Sequence, residues 1–400
     1  MREVSLADVL SARSDSVHLQ EDTVYRTAGI LSYGRGLFKR PPIFGRDTKY
    51  STYYRLHENQ FVYSKLFAWE GALAVVSPDF DGLFVSQEFP TFDIDGSQII
   101  PQYLERICKW PNTWEHIRAH ESGMGGRRKR VNPSRILRVP IPLPDIQEQR
   151  RIVDLLGRAD QALAAQSRLE NSAAQLARAL RYDYFSNLQT DNQVAAQDVF
   201  DISIGRQRAP KYATGKNPAQ YLRAANVKDG YLDLKDVKSM DFDSLERVKY
   251  RLIAGDVLVT EGCGSLAQLG ATAAWNAELP GEVCFQNTLI RLRGKRGTSL
   301  SGYAYQWARY CFENGKFAEI ATGTNIYHLG SQRLSLMPIS PMPLDEQQSV
   351  VERVQSADDV VTSARASRLA LSALLASLYS DLLSGRHVIP EKYDAHLEGV

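Results

Sequence analysis

Four short clusters of this sequence combine glycine with basic or polar side chains, a combination suited to binding phosphate. Lysine and arginine bind phosphate oxygens, and arginine, asparagine and glutamine can also make bidentate contacts with base edges. The clusters are YGRGLFKR (33–40), GMGGRRKRVNPSR (123–135), GRQRAPKY (205–212) and ATGTNIYH (321–328). Their candidate nucleic-acid contacts are Arg35, Lys39, Arg40, Arg127, Arg128, Lys129, Arg130, Arg206, Gln207, Arg208, Lys211, Thr324 and Asn325. Merely solvated loops can have the same composition, so the clusters alone leave the function open.

Other reactive residue types do not form a catalytic pattern. His116 and His120 have the i, i+4 spacing of two ligands on one helix face, but the glutamate of an HExxH motif is missing. The four cysteines contain no CxxC pair, and the chain has neither a GxxxxGK[ST] loop nor a GxSxG elbow. We therefore predict no metal site and no catalytic residues.

One segment is typical of a cofactor loop. LVTEGCGSLAQLG (258–270) reads as a strand ending in acid-Gly-x-Gly, the pattern that holds S-adenosylmethionine in methyltransferases. The chain lacks the NPPY-like tetrapeptide of DNA amino-methyltransferases, and the run Asn132-Pro133-Ser134-Arg135 lacks the second proline and the aromatic residue. A self-contained DNA methyltransferase is thus a rival hypothesis that the sequence disfavours.

Composition indicates a globular protein. The chain has 400 residues, of which 44% are hydrophobic and 24% charged, and no apolar run approaches the roughly 18 residues of a membrane helix. The first residues lack a secretory signal, and four unpaired cysteines suit a reducing compartment, so we expect a cytoplasmic protein with no membrane contact. Residues 1–143 and 190–343 each carry three more basic than acidic side chains, whereas residues 344–400 carry four more acidic ones.

The chain contains an internal repeat. A Pro-x-Pro motif followed by Glu-Gln occurs in PLPDIQEQRRIVDLL (142–156) and again in PMPLDEQQSVVERV (341–354), with 198 residues between the two Glu-Gln pairs. A period of nearly half the chain indicates duplication of a unit that holds one large domain and one long helix.

Each motif predicts the start of a helix. Pro144 and Pro343 disfavour helix before them, and Asp145 and Asp345 are candidate N-caps. Apolar residues then follow in steps of three and four over about 40 residues, which places one seam on each helix. The predicted pairing residues are Leu156, Leu163, Leu176, Leu180, Val354, Val361, Leu374 and Leu378. Such seams favour an antiparallel, coiled-coil-like pair; the alternative is that each helix packs on its own domain.

These elements define the expected architecture. The fold class is α+β, with two mixed α/β domains separated by two long antiparallel helices in a coiled-coil-like pair and related by internal pseudo-two-fold symmetry. The expected boundaries are 1–143 for the first domain, 144–189 for the central helix, 190–343 for the second domain, 344–386 for the second helix and 387–400 for a tail.

Over nearly its whole length the chain resembles the DNA-specificity subunits of type I restriction-modification systems. The most specific parts are the doubled units at 142–188 and 341–386. Supporting segments are YSKLFAWEGALAVV, DGLFVSQEFPTFDID, KYRLIAGDVLVTEGCGSLAQLG, CFQNTLIRLR and TGTN. In that family these segments belong to target-recognition domains, which would make Gly262-Cys263-Gly264 part of a DNA-reading surface.

The resemblance implies a non-catalytic subunit that reads a split target in double-stranded DNA, one half per domain, with the gap set by the helices. It also implies two methyltransferase subunits and a restriction subunit that translocates DNA as partners. S-adenosylmethionine, Mg and ATP would then bind the partners, and this chain would hold no cofactor. Base-contacting residues do not carry over, because these loops differ between family members. A specificity subunit of another phage-defence assembly, or a coiled-coil adaptor that binds proteins, remains an alternative.

Overall fold

The repeated Pro-x-Pro motif lies each time where a short strand gives way to a long helix: β13 (Pro140–Leu143) precedes the first long helix, and β26 (Pro338–Ile339) precedes the second. A computed structural model describes residues 1–119, 130–187, 192–209 and 214–397. The chain divides into unit 1, which is Met1–Ala165 with Ser367–Val400, and unit 2, which is Gln166–Ala366. Each unit therefore combines one β-rich domain with half of each long helix.

Unit 1 contains two sheets of three or more strands. Its strands are β1 (Arg2–Ser5), β2 (Leu10–Ala12), β3 (Asp15–His18), β4 (Val24–Tyr25), β5 (Ala28–Leu31), β6 (Gly36–Lys39), β7 (Ile43–Phe44), β8 (Thr52–Arg55), β9 (Phe61–Tyr63), β10 (Leu73–Val75), β11 (Phe84–Val85), β12 (Thr91–Ile94) and β13 (Pro140–Leu143). Its short helices are α1 (Pro101–Lys109), α2 (Pro111–Ala119) and α3 (Pro133–Ile136). The first long helix, α4, spans Ile146–Asn187 and continues into unit 2.

An antiparallel sheet in the order β10-β9-β12-β2 forms the base of this domain. Helix α1 packs against it because Tyr103, Leu104 and Ile107 lie on one face and are buried in the same core as Phe61 and Phe92. A second core lies under the sheet β11-β8-β3 and the hairpin β5-β6. Strand β13 pairs with β1, so the start and the end of the domain meet.

Unit 2 repeats this plan. Its strands are β14 (Val194–Ala195), β15 (Phe200–Ile204), β16 (Pro218–Leu222), β17 (Val227–Lys228), β18 (Tyr231–Leu232), β19 (Lys238–Asp241), β20 (Asp256–Thr260), β21 (Gly262–Cys263), β22 (Thr272–Trp275), β23 (Val283–Phe285), β24 (Leu289–Gly294), β25 (Tyr327–His328) and β26 (Pro338–Ile339). Its helices are α5 (Ala196–Val199), α6 (Ser244–Tyr250), α7 (Ser301–Glu313), α8 (Lys316–Glu319) and α9 (Ser331–Ser335). The second long helix, α10, spans Leu344–Leu383 and ends in unit 1.

The base of the second domain is an antiparallel sheet in the order β22-β20-β24-β15. Helix α7 covers it through Tyr303 and Trp307, as α1 does in unit 1. Strands β14 and β26 close the domain as β1 and β13 do. The smaller sheets differ, because β16 pairs in parallel with β23 whereas β8 pairs in antiparallel fashion with both neighbours. The duplication therefore preserves the base of each domain and varies its outer part.

The long helices pack together in antiparallel orientation within each unit, as predicted. In unit 2, Arg365 Nε lies 2.9 Å from Glu170 Oε1, and Arg181 Nη1 lies 2.9 Å from Asp358 Oδ1. Higher residue numbers on α4 therefore lie beside lower ones on α10, as in an antiparallel pair. In unit 1, the Tyr379 hydroxyl lies 3.4 Å from Asp160 Oδ2.

The predicted seam is wrong at two leucines. Leu176 is 56% exposed and Leu374 is 64% exposed, so neither lies between the helices. On α4 the inward positions are four residues apart and small, with Ala173 and Ala177 buried, and on α10 the neighbouring Leu375 is buried instead of Leu374. A shift of one residue turns a side chain by about 100° around a helix, and the pattern of apolar residues in steps of three and four did not fix that phase. Leu156 and Val354 are buried, whereas Leu163, Leu180, Val361 and Leu378 are half-buried.

The two helix starts also differ from each other. Asp145 precedes α4 and its Oδ1 accepts a hydrogen bond from Glu148 N at 2.8 Å, as expected for an N-cap. Asp345 is not an N-cap, because α10 already begins at Leu344 and Asp345 lies in its first turn. There its charge faces the positive end of the helix dipole.

The second residue of each Glu-Gln pair is a buried hydrogen-bonding centre. Gln149 Oε1 accepts from Ile100 N at 2.9 Å, and its Nε2 donates to the carbonyl oxygens of Gln98 and Pro144 at 2.8 and 3.0 Å. Ile100 is the residue immediately before α1, so this amide joins the first turn of α4 to the start of the domain helix.

Gln347 makes the equivalent bonds in unit 2. Its Oε1 accepts from Leu300 N at 2.9 Å, and its Nε2 donates to the carbonyl oxygens of Thr298 and Met342 at 2.9 and 2.8 Å. Leu300 precedes α7 as Ile100 precedes α1. Both glutamines are fully buried.

The tail folds back onto α4. Glu148 Oε1 accepts from Ile389 N at 3.0 Å, Arg151 Nε bonds Asp394 at 2.6 Å, and the Tyr393 hydroxyl donates to Asp154 at 2.8 Å. The Arg151 hydrogen bond holds the pKa of Asp394 below its usual value. The start of α4 is thus covered by the end of the chain.

Among the described residues, no helix is long and apolar enough to cross a membrane.

We predict that Gln347→Leu lowers the free energy of unfolding by about 2 to 4 kcal/mol, because it leaves the Leu300 N–H and the Met342 and Thr298 carbonyl groups without this partner. A lower urea midpoint at unchanged slope would show this. Gln348→Leu is the matched control, since Gln348 is exposed and its side chain donates to Glu352 of its own helix. Equal midpoints for the two variants would contradict the assigned role.

Candidate nucleic-acid interface

The outer strands of unit 1 carry a concentration of positive charge. Residues 24–50, which contain strands β4 to β7, hold six lysine and arginine residues against one carboxylate. We call this segment the basic β region. Five of its cations are exposed and form no ion pair within the described part of the chain: Arg26, Arg35, Lys39, Arg40 and Lys49. The sequence clusters identified three of them, whereas Arg26 and Lys49 lie outside any glycine-rich motif.

Aromatic rings support several of these cations. Arg40 lies over the Phe38 ring at 5.5 Å and Lys39 over the Phe80 ring at 5.8 Å. Arg46 lies 4.7 Å from the centre of the Phe44 ring and also pairs with Asp22. A guanidinium that stacks on a ring keeps its N–H edge available to other acceptors. The arrangement suits phosphate or base contacts.

The tip of the β5-β6 hairpin is fixed by backbone bonds. Tyr33 N and Gly34 N donate to the carbonyl oxygens of Glu70 and Gly71 at 2.8 and 3.0 Å. Gly34 has φ +64°, and a Cβ there would lie 2.8 Å from Lys109 Cα, so the turn requires glycine. Arg35 Nε bonds Ser32 O across the turn. The hairpin thus presents Tyr33, 60% exposed, and Arg35 beside each other.

The second cluster of unit 1 is described only from Arg130 onward. Arg127, Arg128 and Lys129 lie outside the described residues, so their predicted contacts stay predictions. Arg130 is exposed and pairs with Glu88 at 2.8 Å. Val131 N then donates to Lys65 O at 2.8 Å, which brings residues 130–131 beside the segment that follows β9.

Unit 2 has the repeat-equivalent contact. Leu329, 198 residues after Val131, donates from N to Glu261 O at 2.8 Å. Strand β25 pairs with β21, so the ATGTNIYH loop meets the Gly-Cys-Gly segment, two motifs more than 50 residues apart in the sequence. Thr324 and Asn325 are exposed here, as are Ser265 and Gln268 on the facing segment. The last two residues were not predicted as contacts, and the pairing of the two loops is what identifies them.

This loop pair is polar and nearly uncharged. Gly323 has φ +112°, and a Cβ there would lie 2.1 Å from Ile326 O, so the tight turn that exposes Thr324 needs glycine. His328 Nδ1 lies 3.1 Å from Glu261 Oε2 at the base of the loop. Hydroxyl and amide groups on such a turn suit hydrogen bonds to base edges.

The segment 258–270 does not have the architecture of a methyltransferase cofactor loop. Strand β20 is antiparallel to both of its neighbours. The residues after Gly262 form the short strand β21 and a single 3-10 turn at Leu266–Gln268, not the start of a long helix. A dinucleotide or adenosine loop relies on a strand that leads directly into a helix N-terminus. Within the described residues, no group of three His, Cys, Asp or Glu side chains is placed to hold a metal ion.

Arg206 has a structural position that conflicts with its predicted DNA contact. Its side chain is 7% exposed, pairs with Glu246 at 2.7 Å, bonds the Asp241 carbonyl and lies over the Phe242 ring. Gln207 and Arg208 follow on the surface, and Lys211 lies outside the described residues. The backbone is held closely at this point, because a Cβ at Gly205 would lie 2.3 Å from Gln286 O and Arg206 N donates to Phe285 O at 3.1 Å.

The segment 214–217, which follows that cluster in the sequence, is anchored by a carboxylate. Asp241 accepts hydrogen bonds from Thr214 Oγ1 at 2.7 Å and from the backbone N–H groups of Thr214, Gly215 and Asn217. These bonds, that of the Thr214 hydroxyl foremost, hold the pKa of Asp241 below its usual value. Loop and strand therefore stay joined at neutral pH.

We predict that substitution of two nearby arginines has different effects on stability. Arg206→Met should lower the free energy of unfolding by about 2 to 4 kcal/mol, because it leaves the partly buried Glu246 without its partner. Arg208→Met should leave the urea midpoint unchanged, since Arg208 is exposed. If Arg208→Met destabilised the protein as much as Arg206→Met, the assignment of the two side chains would be wrong.

Comparisons with known proteins agree on one class. No protein-family model matches the chain. The type I restriction enzyme HindI specificity subunit of Haemophilus influenzae is 18% identical over 184 residues, which cover 45% of this chain and 40% of that protein. The match thus spans less than half of that relative.

Solved structures match over almost the full chain. A chain from a structure describing complex assembly and conformational transition of a type I restriction-modification system has a TM-score of 0.62 at 17% identity, covering 96% of this chain and 97% of that one. The S subunit of a type I system from M. genitalium has a TM-score of 0.55 at 13% identity, with 96% of both chains covered. In fold, and in part of its sequence, the chain therefore resembles the specificity subunits of type I restriction-modification systems, as its doubled Pro-x-Pro and Glu-Gln motifs predict.

Proposed function

We propose that this chain is the non-catalytic DNA-recognition subunit of a type I restriction-modification complex. The observation that carries the proposal is the duplicated unit, in which the same glutamine-anchored frame presents a different set of exposed polar loops each time. The basic β region and Arg130 form the first set, and the paired loops at 262–268 and 321–328 form the second. Side chains of these types bind phosphates and base edges.

Each unit would read one half of a split target. The two surfaces differ in chemistry, because unit 1 presents stacked cations whereas unit 2 presents hydroxyl and amide groups on a glycine turn. Unlike surfaces select unlike base sequences, and covalent connection raises the effective concentration of the second contact after the first has formed. We further propose that the paired long helices set the gap between the half-sites, as dimer geometry does in other DNA-binding proteins.

Partner subunits would supply the chemistry. By analogy with the type I systems that the chain resembles, we propose two methyltransferase subunits and a translocating restriction subunit, which would bind S-adenosylmethionine, Mg and ATP. A related phage-defence assembly would use the same chain in the same way.

A self-contained methyltransferase is the weaker candidate, because 258–270 lacks the required strand-to-helix turn. Methyl transfer from labelled S-adenosylmethionine to DNA by the purified chain alone would overturn the proposal. A protein-binding adaptor would show no preference among DNA duplexes even with partners present.

We predict that replacing Arg35, Lys39 and Arg40 by alanine weakens binding to all duplexes and makes the dependence of log K on log salt shallower by about 1 to 3. Each phosphate contact contributes a slope of roughly 0.9, and three cations are removed. Fluorescence anisotropy with a labelled duplex at several salt concentrations measures the slope.

The control removes equal charge elsewhere. Arg168, Arg353 and Lys392 are exposed on the long helices and the tail, so their triple alanine variant should keep the parent slope. Identical slopes for both triple variants would exclude a phosphate role for the basic β region.

We also predict that exchanging residues 190–343 for the corresponding block of a relative changes one half-site only. The exchange keeps the strand pair β14-β26 and all of unit 2's domain together, so its loops move as a set. Sequencing of duplexes selected from a random pool by the assembled complex reads both halves. Alteration of both half-sites would refute one-unit, one-half-site recognition.

A further inference from the structure

Each unit holds a three-residue polar cluster where its domain helix meets the two long helices. In unit 1 the members are Arg106 of α1, Asp160 of α4 and Tyr379 of α10. Arg106 donates to the Asp160 carboxylate and to the Tyr379 hydroxyl, and the hydroxyl lies 3.4 Å from Asp160 Oδ2. The guanidinium also lies over the Tyr379 ring.

In unit 2 the members are Gln306 of α7, Asp358 of α10 and Arg181 of α4. Arg181 Nη1 donates to both Asp358 oxygens at 2.9 Å and to Gln306 Oε1 at 3.0 Å, and Gln306 Nε2 donates to Asp358 Oδ2 at 2.9 Å. The Arg181 side chain is only 2% exposed. The triangle of bonds is closed as in unit 1.

The two clusters occupy repeat-equivalent positions, but their arginines do not. Asp160 and Asp358 are 198 residues apart, the period of the Glu-Gln motif, and so are Arg181 and Tyr379. The domain-helix members, Arg106 and Gln306, are 200 apart, as are the N-cap residues that precede α1 and α7. The carboxylate thus keeps its place, while its arginine comes from the domain helix in unit 1 and from the opposite long helix in unit 2.

In unit 2 the cluster belongs to a larger ionic network, so its stability depends on the number of cations present. Glu313 accepts from Arg181 and Arg309, and Arg309 also pairs with Asp229. Arg178 lies 3.6 Å from Asp229 and 3.9 Å from Glu313. Removal of one cation would leave buried carboxylates undercompensated, and addition of one would place like charges together, both of which are costly away from water.

We propose that this exchange is a pairing rule that makes each half of the chain pair with the other half rather than with a second copy of itself. Because the chain is duplicated with a period of 198 residues, a second copy of α4 could take the place of α10 beside α4, and a second copy of α10 could take the place of α4 beside α10. The cluster distinguishes these pairings from the correct one by charge.

The count of arginines per carboxylate shows how. In the intact chain each carboxylate faces one arginine. If α4 paired with α4 of a second copy, Asp160 would face both Arg106 and the second copy's Arg181. If α10 paired with α10 of a second copy, Asp358 would face Gln306 of its own copy and Tyr379 of the second copy, and this cluster would contain no arginine. Self-pairing is therefore disfavoured for both halves, a form of negative selection against a competing assembly.

Three full-length variants of unchanged composition test the rule. The first exchanges the long-helix members, Arg181→Tyr with Tyr379→Arg. The second exchanges the domain-helix members, Arg106→Gln with Gln306→Arg. The third combines all four substitutions. Each two-site exchange gives one unit two arginines and the other none, whereas the four-site exchange restores one arginine per carboxylate in both units.

We expect each two-site exchange to lower the thermal midpoint by about 6 °C or more, and the four-site exchange to recover most of that loss. Light scattering should show self-association of the two-site variants, in which each half now matches a second copy of itself, and none for the four-site variant. If four substitutions were as damaging as the two pairs added together, the rule would be wrong.

If the variants that change both units do not fold, two double variants that each change a single unit test the same rule. Arg181→Tyr with Gln306→Arg gives unit 2 the arrangement of unit 1, and Arg106→Gln with Tyr379→Arg does the reverse in the more exposed cluster. Recovery of the midpoint relative to the single variants in either unit supports the rule. Additive losses in both units refute it.

Discussion

A buried primary amide that donates two hydrogen bonds and accepts one is the constraint on which each unit depends. Gln149 and Gln347 each join the first turn of a long helix to the residue that starts the domain helix. A fully buried amide cannot exchange these partners for water, so the domain has one orientation on its helix start. The glutamate of each Glu-Gln pair has different surroundings in the two units, because Glu148 is buried under the tail whereas Glu346 is exposed.

Sequence periodicity predicted the frame because the frame is governed by local rules. Proline before a helix, an acid in its first turn and apolar residues in steps of three and four together place α4 and α10. The same rules did not fix the phase of the seam, where Ala177 is buried and Leu176 is exposed. The helices approach through buried alanines and the buried Arg181, and a pattern of apolar residues does not predict a buried arginine.

The candidate interface was predicted less well, because proximity in space depends on strand pairing. Gly262 and His328 are brought together by the pairing of β21 with β25, and no local sequence pattern predicts that pairing. Arg206 shows the opposite error: its basic cluster suggested a surface role, but Glu246, the Asp241 carbonyl and the Phe242 ring enclose it. Charge composition identifies a candidate, and only tertiary partners decide whether its charge is already neutralised.

The frame that the two units share and the loops that differ between them are held by different kinds of bond. The frame is held by buried amides and charge clusters whose partners are far apart in sequence, so changing one member leaves the others unsatisfied. The loops at 33–40 and 321–328 are held mainly by backbone bonds and glycine turns, as at Tyr33, Gly34 and Gly323, which place few demands on neighbouring side chains. Exposed side chains on such turns can therefore change without disturbing the core, which is what a scaffold requires if its two halves are to bind different sequences.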